Sequence, residues 1–443
     1  MASTNYSRII IISFLCFHLF FVVSQALVPS FTYVNQGNFG DYIVEYGANY
    51  RPRGPATDPF QVCFYNTTPN AYTLALRMGT VRSENLMRWV WEANRGKPVR
   101  ENATFSLGRD GNLVLAEADG QVVWQTNTAN KGVVGYELLP NGNMVLLDSK
   151  GRFVWQSFDS PTDTLLVGQS LLVGGVSKLV SRASEENNND GPYSFVMEPK
   201  RMALYYKSDN SPRPMLYWAE YEGIGKNSSL SNLTLLSDAD NPYSRDDSVY
   251  LLYFVFNTTN VSPDQFSPAK SFGVITRYNS TLSYFRLGMD GNLRYFTFRL
   301  EVYNFAWDRV YTFLNRDSDN DECQLPERCG KFGLCEDSQC VACPTPNGLS
   351  GWSKDCEAKK VTSCKASEFH YYKLEGVDHY MIKYTTGDVT KQSKCESKCT
   401  SDCKCLGYFF HTDQSRCWIA YDLKTLTRVG NSTNLAYIKT PNK

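Results

Sequence analysis

The chain has 443 residues, with 45 basic and 45 acidic side chains and a formal net charge near zero. That balance supplies no basic field for nucleic acid and no attraction to an anionic membrane, so neither is expected as a partner. A chain this long exceeds a single core and is expected to divide into several domains.

Arg8 precedes an apolar run from Ile9 to Val23, and Ser24-Gln25-Ala26 follows it. A basic residue, a short apolar core and a small-x-small site predict a secretory signal over 1–26, cleaved after Ala26. The run is about 15 residues, short of the roughly 20 that a membrane span needs. No later stretch is long and apolar enough to span, and the end Thr440-Pro441-Asn442-Lys443 is too polar for a lipid-anchor signal. A secreted extracellular protein is therefore expected. Cysteine use agrees: Cys16 lies in the signal, and twelve of the remaining thirteen fall between Cys323 and Cys417. That density in an exported chain predicts disulfides. Asn-x-Ser/Thr sequons at Asn66, Asn102, Asn227, Asn232, Asn257, Asn260, Asn279 and Asn431 predict N-glycans on exposed loops or strand edges.

The first half carries a repeat. Val90-Trp91-Glu92, Val123-Trp124-Gln125 and Val154-Trp155-Gln156 recur at spacings of 33 and 31 residues. Before the second and third stand Asp110-Gly111-Asn112-Leu113-Val114-Leu115 and Asn141-Gly142-Asn143-Met144-Val145-Leu146. Each copy reads as a turn, an alternating strand, a second turn and a Trp-bearing strand. A lone hairpin cannot bury its own apolar face, so three copies predict threefold packing with one Trp from each on the shared axis.

These segments resemble the bulb-type, mannose-binding lectin domain, a three-sided β-prism. Trp89-Val90-Trp91-Glu92-Ala93-Asn94-Arg95 is similar to that family's VWxANR segment. The stretch from Val154 to Leu166, VWQSFDSPTDTLL, resembles the hallmark of S-locus glycoproteins and S-domain receptor kinases. Arg286-Leu287-Gly288-Met289-Asp290-Gly291-Asn292-Leu293-Arg294-Tyr295-Phe296 looks like a further S-locus segment and repeats the Asp-Gly-Asn turn. The resemblance implies a lectin domain over 27–165 and a second, diverged lectin or S-locus-like domain over 166–318. Aromatic-rich alternation predicts strands within Leu251–Phe256 and Leu282–Phe298, and Ser184–Gly191 reads as a polar loop.

Cys323, Cys329, Cys335, Cys340, Cys343 and Cys356 resemble an EGF-like unit, placed over 319–357. Cys364, Cys395, Cys399, Cys403, Cys405 and Cys417 resemble the CxxxCxxxCxC signature of a PAN/apple domain over 358–443. The resemblance implies a helix there, with Cys395 and Cys399 on one face, tied to a small sheet. Spacing leaves the connectivity within each group open. Zinc ligation, or a redox role for Cys340 and Cys343, is the competing use of such cysteines; export favours structural disulfides. Cys63, in the apolar run Phe60–Tyr65, is either a buried free thiol or an intermolecular partner. The fold class is thus mainly β: tandem bulb-lectin β-prisms, then a small EGF-like disulfide unit, then PAN/apple.

The resembling lectins hold mannose on a QxDxNxVxY strand, whose alternate side chains face one way. Here the five positions are Gly108, Asp110, Asn112, Val114 and Ala116; then Leu139, Asn141, Asn143, Val145 and Leu147; then Gly288, Asp290, Asn292, Arg294 and Phe296. The central Asp/Asn-x-Asn persists, while the outer Gln and Tyr are gone in every copy. The candidate carbohydrate residues are therefore Asp110, Asn112, Val114, Asn141, Asn143, Val145, Asp290 and Asn292, as a weakened or retuned site. The competing account is that Asp-Gly-Asn serves the hairpin turn whether or not a sugar binds.

His370, His379 and His411 sit in no nucleophile elbow or zinc helix, and no phosphate loop is present. No enzyme activity, cofactor or metal is expected. In architecture the chain is similar to EP1-like secreted glycoproteins among the curculin-like lectins, and it stops where S-domain kinases continue. That resemblance implies a lectin-like glycoprotein of the plant cell wall or apoplast. Its expected partners are glycans or wall glycoproteins, with a receptor or wall protein contacted through PAN. The alternative is a non-sugar interaction module or soluble decoy related to those receptors.

Overall fold

The repeated turns fold as antiparallel hairpins. In the first, strands Thr104–Leu107, Leu113–Ala116 and Val122–Gln125 pair in order, and Phe31–Val34 adds to the outer edge. In the second, Val133–Leu138, Met144–Asp148 and Phe153–Gln156 form a three-stranded sheet. Asn49–Thr57, Phe60–Thr68, Ala71–Met78 and Arg88–Glu92 make the third side. This computed structural model describes residues 29–79, 87–220, 229–238, 250–259, 271–276, 282–299, 306–317, 321–361 and 363–442. The export segment 1–26 and the sequons at Asn227, Asn260 and Asn279 lie outside the described residues.

The three Trp residues meet as the repeat predicts. Ring centroids of Trp91, Trp124 and Trp155 lie 5.8, 6.4 and 5.9 Å apart in edge-to-face pairs. Such pairs contribute about 0.5–1.5 kcal/mol each beyond their burial. Leu76, Phe105, Leu115 and Leu146 pack around them in one apolar core.

Three further sheets follow, each four-stranded. Thr164–Leu166 pairs with Ser283–Leu287, which continues through Leu293–Arg299 to Ala306–Thr312. Ser170–Leu172 leads a sheet with Ser229–Asp238, Tyr250–Thr259 and Ser271–Thr276. Lys178–Arg182 leads the last, with Asp190–Glu198, Arg201–Tyr206 and Met215–Glu220. The alternation around 251–256 and 282–298 thus corresponds to strands, the latter broken by the turn at 288–292. The core here replaces the Trp triad with Phe195, Trp218, Phe285 and Phe313 in edge contacts. Thr164–Leu166, at the junction expected near residue 165, pairs with this second set.

The cysteine-rich end is two five-stranded sheets. In one, Phe332–Glu336 pairs in parallel with Lys424–Arg428, so a single sheet crosses the junction expected at residue 357. A segment of this size cannot bury a core alone, and it borrows one by strand pairing as well as by disulfides. The bridges are Cys323–Cys335, Cys329–Cys340, Cys343–Cys356, Cys364–Cys403, Cys395–Cys417 and Cys399–Cys405. Helix Gln392–Ser401 turns Cys395 and Cys399 inward, four residues apart, and Cys395 ties it to strand Arg416–Ala420. Cys63 is free and fully buried beside Tyr50, Tyr65 and Trp89, and burial pushes its thiol up to about 12.

Candidate functional site

Each Asp/Asn-Gly-Asn segment is a tight turn locked by its own side chains. In the first copy the Asn112 N–H donates to Asp110 Oδ1 at 3.0 Å, and the Gly111 N–H donates to Gly108 O at 2.9 Å. Gly111 has φ +79°, and a Cβ there would stand 2.7 Å from Val133 Cβ, so the glycine is required on both counts. The Asn141 and Asp290 carboxamide and carboxylate cap their turns in the same way, accepting from Asn143 N–H at 3.2 Å and Asn292 N–H at 3.1 Å.

The central asparagines point into the fold. Asn112 Nδ2 donates to Gln125 Oε1 at 2.8 Å, while its Oδ1 accepts from Thr128 N–H at 3.0 Å and Thr126 Oγ1 at 3.2 Å. Asn143 repeats this with Gln156 Oε1 at 2.9 Å, Phe158 N–H at 3.2 Å and Ser157 Oγ at 3.3 Å. Asn292 donates to Leu314 O at 2.8 Å and accepts from Leu314 N–H at 3.1 Å. The three are only 8, 3 and 1% exposed. The recurring Trp-Gln of the repeat is explained here: the Trp fills the axis and the next residue latches the turn's asparagine. Val145 is buried, Val114 half-buried, and Asp110, Asn141 and Asp290 are exposed.

The third copy opens onto a cleft. Arg294 stands where the resembling lectins have Val, and it grips Asp290 with both terminal nitrogens, at 2.8 and 2.5 Å. The cleft holds about 480 Å³ and includes Gly288, Asp290, Arg294 and Phe296 on one wall and Glu45, Tyr46 and Arg88 on another. Phe296 is half-buried and stacks on Tyr284 at 4.9 Å. Tyr46 is held at φ +67°, a conformation costly for a tyrosine that persists only where its surroundings impose it. Burial pushes its phenol well above the ordinary range, and Arg182 lies 4.3 Å from its ring centre.

Beneath this cleft runs a buried ionic network that joins the two sets of sheets. Arg286 contacts Glu45 at 2.6 Å, Trp89 O at 2.5 Å and Thr164 Oγ1 at 2.9 Å. Asp163 pairs with Arg95 at 2.8 Å and faces Arg286 at 3.8 Å. Glu92 pairs with Arg95 at 2.7 Å and Arg182 at 3.0 Å, and also accepts from Tyr65 OH. Burial alone raises Asp163, but Arg95 and Arg286 outweigh it, and the carboxyl ends below its ordinary value. The charged residues inside the VWEANR, PTDT and Arg-Leu segments therefore hold the two sets together. Their only signal was that they stand inside these motifs; Glu45, Tyr46 and Arg182 carry no comparable signal.

The sequons divide. Asn102 and Asn431 are exposed, as expected of glycan sites, and Asn232 is half-buried. Asn66 is buried, because strand Phe60–Thr68 is inside its sheet and loop residues Glu186–Asn189 lie over it. Asn257 lies on strand Tyr250–Thr259. His379 is buried and neutral: its Nδ1 accepts from Met381 N–H at 3.3 Å, so Nε2 carries the proton and donates to Asp422 O at 2.9 Å. No group of metal-ligating side chains occurs among the described residues, and no helix among them is long and apolar enough to cross a membrane.

A family model described as D-mannose binding lectin matches residues 88–183, which include both Trp-Gln latches and four members of the ionic network. The chain is 51% identical over 441 residues to EP1-like glycoprotein 3 of Arabidopsis thaliana, covering 97% of each. To EP1-like glycoprotein 4 of the same plant it is 50% identical over 442 residues, covering 97% of this chain and 96% of that one. To the epidermis-specific secreted glycoprotein EP1 of Daucus carota it is 53% identical over 371 residues, covering 80% and 93%.

Proposed function

The chain belongs to the EP1-like glycoproteins, a family with a bulb-type lectin domain, and from that premise we propose that it is a secreted cell-wall protein recognising neutral carbohydrate. The observation that carries the reading is the cleft at the third turn copy. Its ionisable walls are nearly balanced, with Glu45, Asp163, Glu185 and Asp290 against Arg88, Arg286 and Arg294. A balanced array of carboxylates and guanidiniums offers acceptors and donors to vicinal hydroxyls without selecting a charged ligand. Phe296 and Tyr46 supply apolar surface for a ring face, so the cleft has the mixed lining of a small-ligand site.

The asparagines named by the motif do not carry sugar recognition in this reading, since the fold uses their amides. A glycan array probed with the secreted protein, its Asp290→Ala and Arg294→Ala variants, and Asp110→Ala tests it. Signal retained in Asp110→Ala and lost in the other two is expected; loss in Asp110→Ala alone would move recognition back to the first copy. A second reading, contact with a protein rather than a sugar, is favoured by the inward use of all three amides. Cross-linking in wall extracts that captures one protein despite competing sugar would support that alternative.

A further inference from the structure

We infer that the cleft where the second set of sheets, the EGF-like segment and the C-terminal sheet meet is a separate binding site for a carboxylated saccharide, a uronate oligomer. It holds about 500 Å³. Tyr206 and Asn210 come from the second set, Lys359 and Lys360 from the coil after Cys356, and Tyr421 and Lys424 from the C-terminal part. Its frame is fixed by hydrogen bonds across these segments. Asn210 Nδ2 donates to Lys404 O at 2.8 Å and to Tyr421 O at 2.6 Å. Lys424 donates to Glu327 at 2.6 Å, and the same carboxylate accepts from Tyr193 OH at 2.7 Å.

The lining residues of this cleft lean positive. Five lysines line it (331, 359, 360, 424 and 439) against Asp209, Glu357 and Asp422. Two of the five are answered by carboxylates, Lys331 by Glu357 at 3.4 Å and Lys424 by Glu327. Lys439 is buried and its ammonium is held by carbonyls, Cys399 O at 2.9 Å and Asp402 O at 3.3 Å, at the end of helix Gln392–Ser401. Those carbonyls accept two of its three protons, and the Phe369 ring and the Asp402 carboxylate offset part of its charge. Among the described residues, no carboxylate lies within ion-pair distance of Lys359 or Lys360, both exposed on the lip. A half-enclosed, low-dielectric cleft focuses such a field on an anion.

The remaining lining decides which anion. Tyr206, Tyr421, Leu406 and Ala358 make apolar wall between the charges. A bare inorganic anion leaves that surface unused, whereas a uronate ring has an apolar C–H face beside its carboxylate. The cleft lies far in sequence from the third-copy turn and shares none of its lining residues. It stands whether or not that other site binds a neutral sugar.

The test is a calorimetric titration of the full secreted protein with a short galacturonate oligomer, its fully methyl-esterified counterpart and poly-glutamate. The wild type is expected to bind the free acid and not the ester. The Lys359→Glu/Lys360→Glu variant, altered only at exposed positions, is expected to lose about tenfold or more in affinity. Lys150→Glu, a charge reversal on an exposed turn elsewhere, is expected to bind like the wild type. Absence of galacturonate binding, undiminished binding by the double-lysine variant, or equal binding of poly-glutamate would overturn the inference.

Discussion

Replacing Asn112 by Ala removes one donated and two accepted hydrogen bonds, to Gln125, Thr128 and Thr126. Each such bond contributes about 0.5–1.5 kcal/mol net, and the buried Thr128 N–H left unpaired costs about 1–3 kcal/mol. These overlap, so the expected loss is about 2–4 kcal/mol. With a urea dependence of about 1–3 kcal/mol/M, the unfolding midpoint of this set of sheets falls by about 0.7–4 M. Trp124 adjoins Gln125 and packs on Trp91 and Trp155, so three of the chain's eight tryptophans report this core by fluorescence. Asp110→Ala is the internal control. It removes a single exposed turn bond to the Asn112 N–H and is expected to cost about 1 kcal/mol or less. A midpoint for Asn112→Ala equal to that of Asp110→Ala, together with lost glycan binding, would refute the assignment of Asn112 to the fold.

Arg286→Met leaves Glu45 and Asp163 short of their shared cation, and breaking such a buried network costs about 3–5 kcal/mol; the check is early thermal unfolding of the variant. His379 is pushed down to about 3 by burial, so the folded state holds fewer protons there than the unfolded state once pH falls below the ordinary histidine value. Its contribution is intact above about pH 6.5 and is lost progressively toward pH 3. In His379→Gln, which can make the same two hydrogen bonds, urea midpoints measured across that window are expected to fall less steeply. Cys63 is expected to resist a thiol reagent in the native protein and to react on unfolding; rapid native labelling would contradict its burial.

The threefold core was legible because the sequence repeats its cause: a Val-Trp pair three times over, twice after the same turn. Turn chemistry was equally plain, since Asp-Gly-Asn and Asn-Gly-Asn need little beyond themselves to form. What spacing could not disclose was the direction of the Asn112 amide. Its partner, Gln125, is thirteen residues on in the adjacent strand, and only the register of Leu115 against Trp124 brings the two together. The proposed binding cleft was half visible. Arg294 and Phe296 stood at the right motif positions, but Tyr46 and Glu45 arrive from a distant segment with no pattern of their own. Non-local pairing hid most completely: nothing in Phe332–Glu336 announces a parallel partner in Lys424–Arg428. The two alternatives for Cys63 were separated by register, because Pro52 and Ala75 flank it on both sides within the sheet.

We propose that glycan recognition lies at the Asp290–Arg294 cleft and not at the turn asparagines. Titration calorimetry with the strongest array glycan, on the wild type and Arg294→Ala, tests it most directly. Loss of the guanidinium is expected to weaken binding about tenfold or more, as removal of a charge-assisted contact does, with the unfolding midpoint nearly unchanged because the Asp290–Arg294 pair is half-exposed. Undiminished affinity in Arg294→Ala would contradict the account.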